Sequence, residues 1–121
     1  MTHLILILAS VLFTALGQLL FKQGMTVLDG RYQPASLWKL IGYGLINGYV
    51  LLGFLFFGAG AVLWLAVLAK EEVGYAYPLS SLGYIIVLFG SYLLFHEPIS
   101  PSRIIGICLI VLGVIFIEYS R

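Results

Sequence analysis

Four long apolar runs, separated by short polar segments, organise the 121-residue chain. They cover about 4–21, 40–69, 73–95 and 102–119, and a spanning helix needs about 20 such residues. The pattern predicts an all-α integral membrane fold, with four transmembrane helices filling residues 1–121 as a single transmembrane domain. The second run, Leu40 to Ala69, would be roughly 45 Å long as a straight helix, against a hydrocarbon core of about 30 Å. It is too short for two spans, so it is expected to tilt, kink or project beyond the core.

The breaks between runs set the neighbours. Lys70-Glu71-Glu72 is a short charged turn, so the second and third helices are antiparallel partners. The segment His96 to Pro101 ends the third helix, and Ser100-Pro101 is an N-cap followed by a first-turn proline. Glu97 is placed to interact with the amino-terminal dipole of the fourth helix. Gln23 to Trp38, which includes Asp29-Gly30-Arg31 and Pro34, is the longest predicted loop, and Tyr32 and Trp38 beside Lys39 have the character of an interfacial belt.

Polar residues inside the runs are more informative than the runs themselves. On a helical third run, Tyr77, Ser81, Tyr84, Leu88 and Ser91 share one face. Hydroxyls in hydrocarbon cost free energy unless they find partners. The stripe is therefore expected to face another helix or a wet cavity, with Pro78 and Gly83 as hinge candidates. Ser10, Thr14 and Gln18 repeat every four residues in the first helix and lead to Lys22. Ser10 and Thr14 either bond their own backbone carbonyls or share that polar face. Gln18 needs several partners if buried. Lys22 either snorkels to the headgroups or offers a positive charge to a phosphate. Asn47 is a buried-polar candidate in the second run, unless it lies near the interface. Gly44 and Gly48 there form a small-xxx-small pair of low specificity. The fourth helix has no polar stripe, only Gly106 and Gly113 on one face, which suits helix association. Both are dimer-interface candidates.

Composition agrees: 62% of residues are hydrophobic, 9% are charged and mean hydropathy is +1.11, whereas a soluble domain is about 25% charged. No length remains for a soluble domain. A net charge of +1 excludes a strongly basic nucleic-acid surface. The lone Cys108 forms no intrachain disulfide and reads as a packing residue. The first apolar run lacks a positively charged leader and, at about 18 residues, is long for a signal peptide, so a retained helix is expected. Lys22, Arg31, Lys39 and Arg103 against Lys70 and Arg121 favour both termini outside the cytoplasm, by a margin small enough to leave dual insertion open. The sequence shows no metal-ligand cluster, phosphate-cradling glycine motif, nucleophile-base pair or cofactor site, so transport rather than catalysis is expected. No acidic residue lies near the middle of a predicted helix, and proton-coupled cation export usually needs one.

Several segments resemble the drug/metabolite transporter superfamily, in its four-helix, small-multidrug-resistance-like branch. They are Gly17-Gln18-Leu19-Leu20-Phe21-Lys22-Gln23, Leu63-Trp64-Leu65-Ala66-Val67-Leu68, Val73-Gly74-Tyr75-Ala76-Tyr77-Pro78-Leu79-Ser80-Ser81-Leu82, and His96-Glu97-Pro98-Ile99-Ser100 with Gly106 and Gly113. Within that branch the chain is most similar to the EamA-like small subunits of aminoarabinose-phosphoundecaprenol flippases. Cation exporters of the superfamily carry an essential glutamate in the first helix. Alignment on Gly17 and Lys22 puts Thr14 there, which disfavours cation antiport.

The resemblance implies a dimer, of identical or of two different four-helix chains, that flips a polyprenyl-phosphate-linked sugar across the bacterial inner membrane by alternating access. For such a substrate the polar faces and cations read above supply the expected binding residues: Thr14, Gln18, Tyr77, Ser81 and Tyr84 for the sugar, and Lys22 and Arg103 for the phosphodiester. The expected partners are membrane lipid, the lipid-linked sugar and a second chain. Two other readings stay open: export of a small polar or cationic compound, and a non-transporting subunit that stabilises another membrane protein.

Overall fold

In the computed structural model, residues 2–32 and 36–120 are described. Pro34 and the side chains of residues 30–32 lie outside that description, and with them the interfacial role expected of Tyr32. The described elements are all helical: α1 (Thr2–Tyr32), α2 (Leu37–Leu45), α3 (Gly48–Lys70), α4 (Val73–Leu79), a 3₁₀ turn (Ser80–Leu82), α5 (Gly83–Phe95) and α6 (Pro101–Ser120). Four stretches are long and apolar enough to cross a membrane: His3–Asp29, Gly48–Lys70, Val73–Phe95 and Pro101–Ser120. The chain is a multi-pass membrane protein.

Three boundaries correct the sequence reading. The first helix continues past Phe21 to Tyr32, absorbing most of the predicted loop. Nothing between Gln23 and Val27 terminates a helix except Gly24, and Gly24 is held against the Asn47 and Val50 side chains. The second run is two helices rather than one. Asn47 leaves helical geometry at φ −75°, ψ 137°, and its Oδ1 accepts from the amides of Tyr49 and Val50 at 2.9 and 3.3 Å. It is the N-cap of α3, and its carboxamide is satisfied by the first-turn amides that a helix leaves free. The third helix is interrupted at Ser80–Leu82 by one tighter turn; Pro78, two residues earlier, lacks the amide that would pair back to Gly74.

Helices α1 and α3 pack most closely, and glycine makes that possible. A Cβ on Gly17 would lie 2.8 Å from the Gly53 carbonyl oxygen, and one on Gly60 would lie 2.9 Å from the Ser10 carbonyl oxygen. Two backbones therefore meet with no side chain between them, the small-residue packing that membranes favour. The pairing runs through Gly17, Gly53 and Gly60. Gly44 meets only the Met25 thioether, and Gly48 faces open space. Buried Ser10 donates to the Gly60 carbonyl at 2.7 Å across this seam. Thr14 bonds its own helix, donating to the carbonyls of Ser10 and Val11 at 3.1 and 3.0 Å. Phe13 stacks on Phe56, and Phe21 meets Phe54 edge-on at 4.8 Å.

At the end where α1 begins and α6 finishes, Ile7, Val11, Val67, Tyr75, Ala76 and Leu79 form a buried cluster. Polar contacts cover it: His3 Nδ1 lies 2.8 Å from Glu71 Oε1, and the Tyr75 hydroxyl donates to Glu118. Helix α6 is the least enclosed element, with no fully buried residue. Its Ile105, Leu109, Leu112 and Phe116 face outward, and a Cβ on Gly106 or Gly113 would touch nothing within 4 Å.

Candidate functional site

Away from that sealed end, the helices separate around a cavity of about 1110 Å³. One wall is α1, through Ser10, Thr14, Gln18 and Lys22. The opposite wall is α4 to α5, through Tyr77, Ser80, Gly83, Tyr84 and Ser91. Trp64 of α3 and Arg103, Gly106 and Ile110 of α6 complete it. Helical periodicity assembles these walls: residues four apart on α1 and seven or eleven apart on α5 stack along the same face.

The structure brings six of the seven predicted substrate residues to this one cavity: Thr14, Gln18, Lys22, Tyr77, Tyr84 and Arg103. Ser81 is not among them, and Ser80 takes its place. The cause is the 3₁₀ turn, in which residues three apart eclipse, so Ser80 follows Tyr77 on the cavity side. Ser80 also donates its hydroxyl to the Tyr77 carbonyl. Gln18 is exposed rather than buried, so its carboxamide is free of the demand that sequence reasoning placed on it. Gly83 lines the cavity and Pro78 lies just outside it. Gly106 faces the cavity, whereas Gly113, two turns on, does not.

The cavity's mouth is charged. Lys22 Nζ lies 3.5 Å from Glu97 Oε1, with both side chains partly exposed. Glu97 is thus an ion-pair partner of α1, and it stands four residues before the start of α6. The expected N-cap of α6 is in place at Ser100, whose Oγ accepts from the Arg103 amide at 3.2 Å. The turn responsible follows α5. His96 is left-handed (φ 56°, ψ 30°), and the amides of His96 and Glu97 both return to the Ser91 carbonyl, a helix-ending geometry usually given to glycine. The chain then reverses over the mouth, where Arg103 Nη1 donates to the Pro98 carbonyl at 2.9 Å. Two cations and one carboxylate are gathered at one end, hydroxyls line the walls, and Trp64 meets Tyr77 edge-on at 6.3 Å. Sequence reasoning overlooked Glu97 as a member of this group. Its distance from Lys22 in the chain gave no signal, since Lys22 lies within α1 and Glu97 just after α5.

Chemically, the arrangement suits an amphipathic anionic solute. Guanidinium and ammonium groups take phosphate or carboxylate oxygens, and hydroxyl and amide groups take sugar-like donors and acceptors. No groups of His, Cys, Asp and Glu able to hold a metal occur among the described residues.

A helical membrane protein with a cavity lined by apolar and hydroxylic side chains, closed by a buried cluster at one end and charged at the other, has the form of a transport protein. The chain belongs to the EamA-like transporter family, which matches residues 1–119. Among curated relatives, the probable 4-amino-4-deoxy-L-arabinose-phosphoundecaprenol flippase subunit ArnE of Erwinia tasmaniensis is 41% identical over 114 residues, 94% of each chain. The protein of the same name from Aeromonas salmonicida is 37% identical over 118 residues, 97% of this chain and 96% of its own. That from Pseudomonas aeruginosa is 35% identical over 115 residues, 95% of this chain and 96% of its own. No solved structure matches the chain.

Proposed function

We propose that this protein is one subunit of a flippase that moves a polyprenyl-phosphate-linked aminosugar across the bacterial inner membrane, leaving the substrate chemically unchanged. The observation that carries the reading is the polarity of the cavity: cations at its mouth, hydroxyls and aromatics deeper in. The lipid phosphodiester would meet Lys22 and Arg103 near the headgroup level. Thr14, Gln18, Tyr77 and Tyr84 would hydrogen-bond the sugar, and the polyprenyl tail would stay in the bilayer. The relatives' name for their own substrate supports this assignment. Their description as subunits supports a second chain.

Alternating access would open the sealed end by separating the Ile7 to Leu79 cluster and its two polar covers. The 3₁₀ turn between Pro78 and Gly83 lies where cluster and cavity meet, a fitting place for a hinge. The test is transbilayer movement of aminoarabinose-phosphoundecaprenol in proteoliposomes that hold this chain with its partner. Movement above protein-free vesicles supports the reading. No movement from an intact complex that also carries no polyprenyl phosphate detectable by mass spectrometry would sink it.

The partner is a four-helix chain, either a second copy or a similar one, seated on α6. The outward apolar face and the open space at Gly113 support that placement. Gly113→Leu meets nothing within its own chain, so the monomer should keep its helicity and thermal midpoint. Association, read by native mass spectrometry or cross-linking, is expected to weaken at least tenfold, because a leucine holds two backbones apart at a small-residue contact. Unchanged association would move the interface off this face.

A further inference from the structure

Glu97 is the one acidic side chain among the described residues that line the cavity, and it stands beside Lys22 with Arg103 tied to the next residue's carbonyl. A site for a plain anion gains nothing from a carboxylate there, since it competes for the same lysine. A site for a zwitterion does. The substrate named for the relatives is zwitterionic, with an amine and a phosphodiester on one small sugar. We propose that Glu97 recognises the substrate amine, and so selects the aminosugar lipid over lipids whose sugar lacks a positive charge. This rests on the flippase reading above.

The charges exchange cleanly. In the structure Glu97 pairs with Lys22 at 3.5 Å. When substrate arrives, its phosphodiester takes Lys22 and Arg103, and the carboxylate so released takes the ammonium. One internal pair becomes two intermolecular ones, and no charge is stranded at the mouth. A substrate whose nitrogen is an uncharged amide would displace Glu97 from Lys22 and offer it no cation in return. Discrimination by an unpaired group in the site is stronger than discrimination by fit alone. The left-handed turn at His96 and the hydrogen bond from Arg103 to Pro98 hold the carboxylate in place over the mouth. The exchange therefore needs a side-chain rotation and no rebuilding of the loop.

The test is a binding competition on the full chain with its partner, read by native mass spectrometry. The probes are aminoarabinose-phosphoundecaprenol, its N-acetyl derivative and undecaprenyl phosphate. The wild type should prefer the free amine over the N-acetyl lipid by about tenfold, the scale of one charge-assisted contact at a partly exposed site. Glu97→Gln should bring that preference to near unity, and Glu97→Asp should keep most of it. Undecaprenyl phosphate should bind Glu97→Gln at least as tightly as wild type, because Lys22 is no longer occupied. That arm also shows that the variant is folded. A preference retained in Glu97→Gln, or absent in the wild type, overturns the role of Glu97 and leaves the flippase reading standing. Failure of the wild type to bind any of the three lipids overturns both.

Discussion

Replacing Gly60 with leucine is expected to destabilise the protein by about 3 kcal/mol, the upper range for overpacking a tight contact, and to prise α1 from α3. A Cβ at this position would already lie 2.5 Å from the Thr14 methyl, 2.9 Å from the Ser10 carbonyl oxygen and 3.0 Å from the Thr14 amide nitrogen. The methyl can rotate away, but the two backbone atoms cannot. The same step would separate Ser10 from the Gly60 carbonyl, leaving a buried hydroxyl and a carbonyl to find other partners. The control is Gly58→Leu, two residues away on the same helix, where nothing lies within 4 Å. Unfolding in mixed micelles should place Gly58→Leu near wild type and Gly60→Leu far below it. Equal stability of the two would mean that the glycine seam does not hold this helix pair.

The second large effect is expected at the cavity mouth. Lys22→Gln and Arg103→Gln should each weaken binding of undecaprenyl phosphate by about tenfold, as expected for loss of a charge-assisted contact to an oxyanion. The double variant should fall by about a hundredfold if the two cations act independently, and by less if they share one phosphate oxygen. Titration by native mass spectrometry in detergent measures all three. Folding is not at issue for Lys22, whose side chain is more than half exposed and whose ion pair with Glu97 is of the weak, solvent-screened kind. Binding unchanged in the double variant would remove the phosphate from this end of the cavity and with it the orientation proposed for the substrate.

How much of this was legible beforehand depends on the kind of signal. Hydropathy alone locates the four spans, because a bilayer requires long apolar stretches and tolerates little else. The polar stripe of the third helix also reads directly, since hydroxyls at Tyr77, Tyr84 and Ser91 have few reasons to sit in lipid. The Ser100-Pro101 start of α6 is a local signal and holds in the structure. What did not read were features fixed by two elements at once. Gly53 and Gly60 are ordinary members of a glycine-rich run until Gly17 and Ser10 are placed against them. Asn47 shows a second limit: its cap is local, but inside an apolar run taken as unbroken the same carboxamide reads as a buried polar residue. Ser81 illustrates a third limit. Its position on the face was computed for an unbroken α-helix, and a single tighter turn was enough to hand the place to Ser80.

The glycine seam between α1 and α3 also bears on how the protein is made. Chains enter the membrane amino terminus first, and the seam joins the first spanning helix to the second. Every residue of this pair precedes α4 to α6 in the chain and is synthesised before them. Its contacts are local packing and one hydrogen bond, needing nothing from later segments. Biosynthesis would therefore deliver the rigid wall of the cavity first. The interrupted helix and the open α6 would be laid against it afterwards, so the parts free to move are the last to arrive.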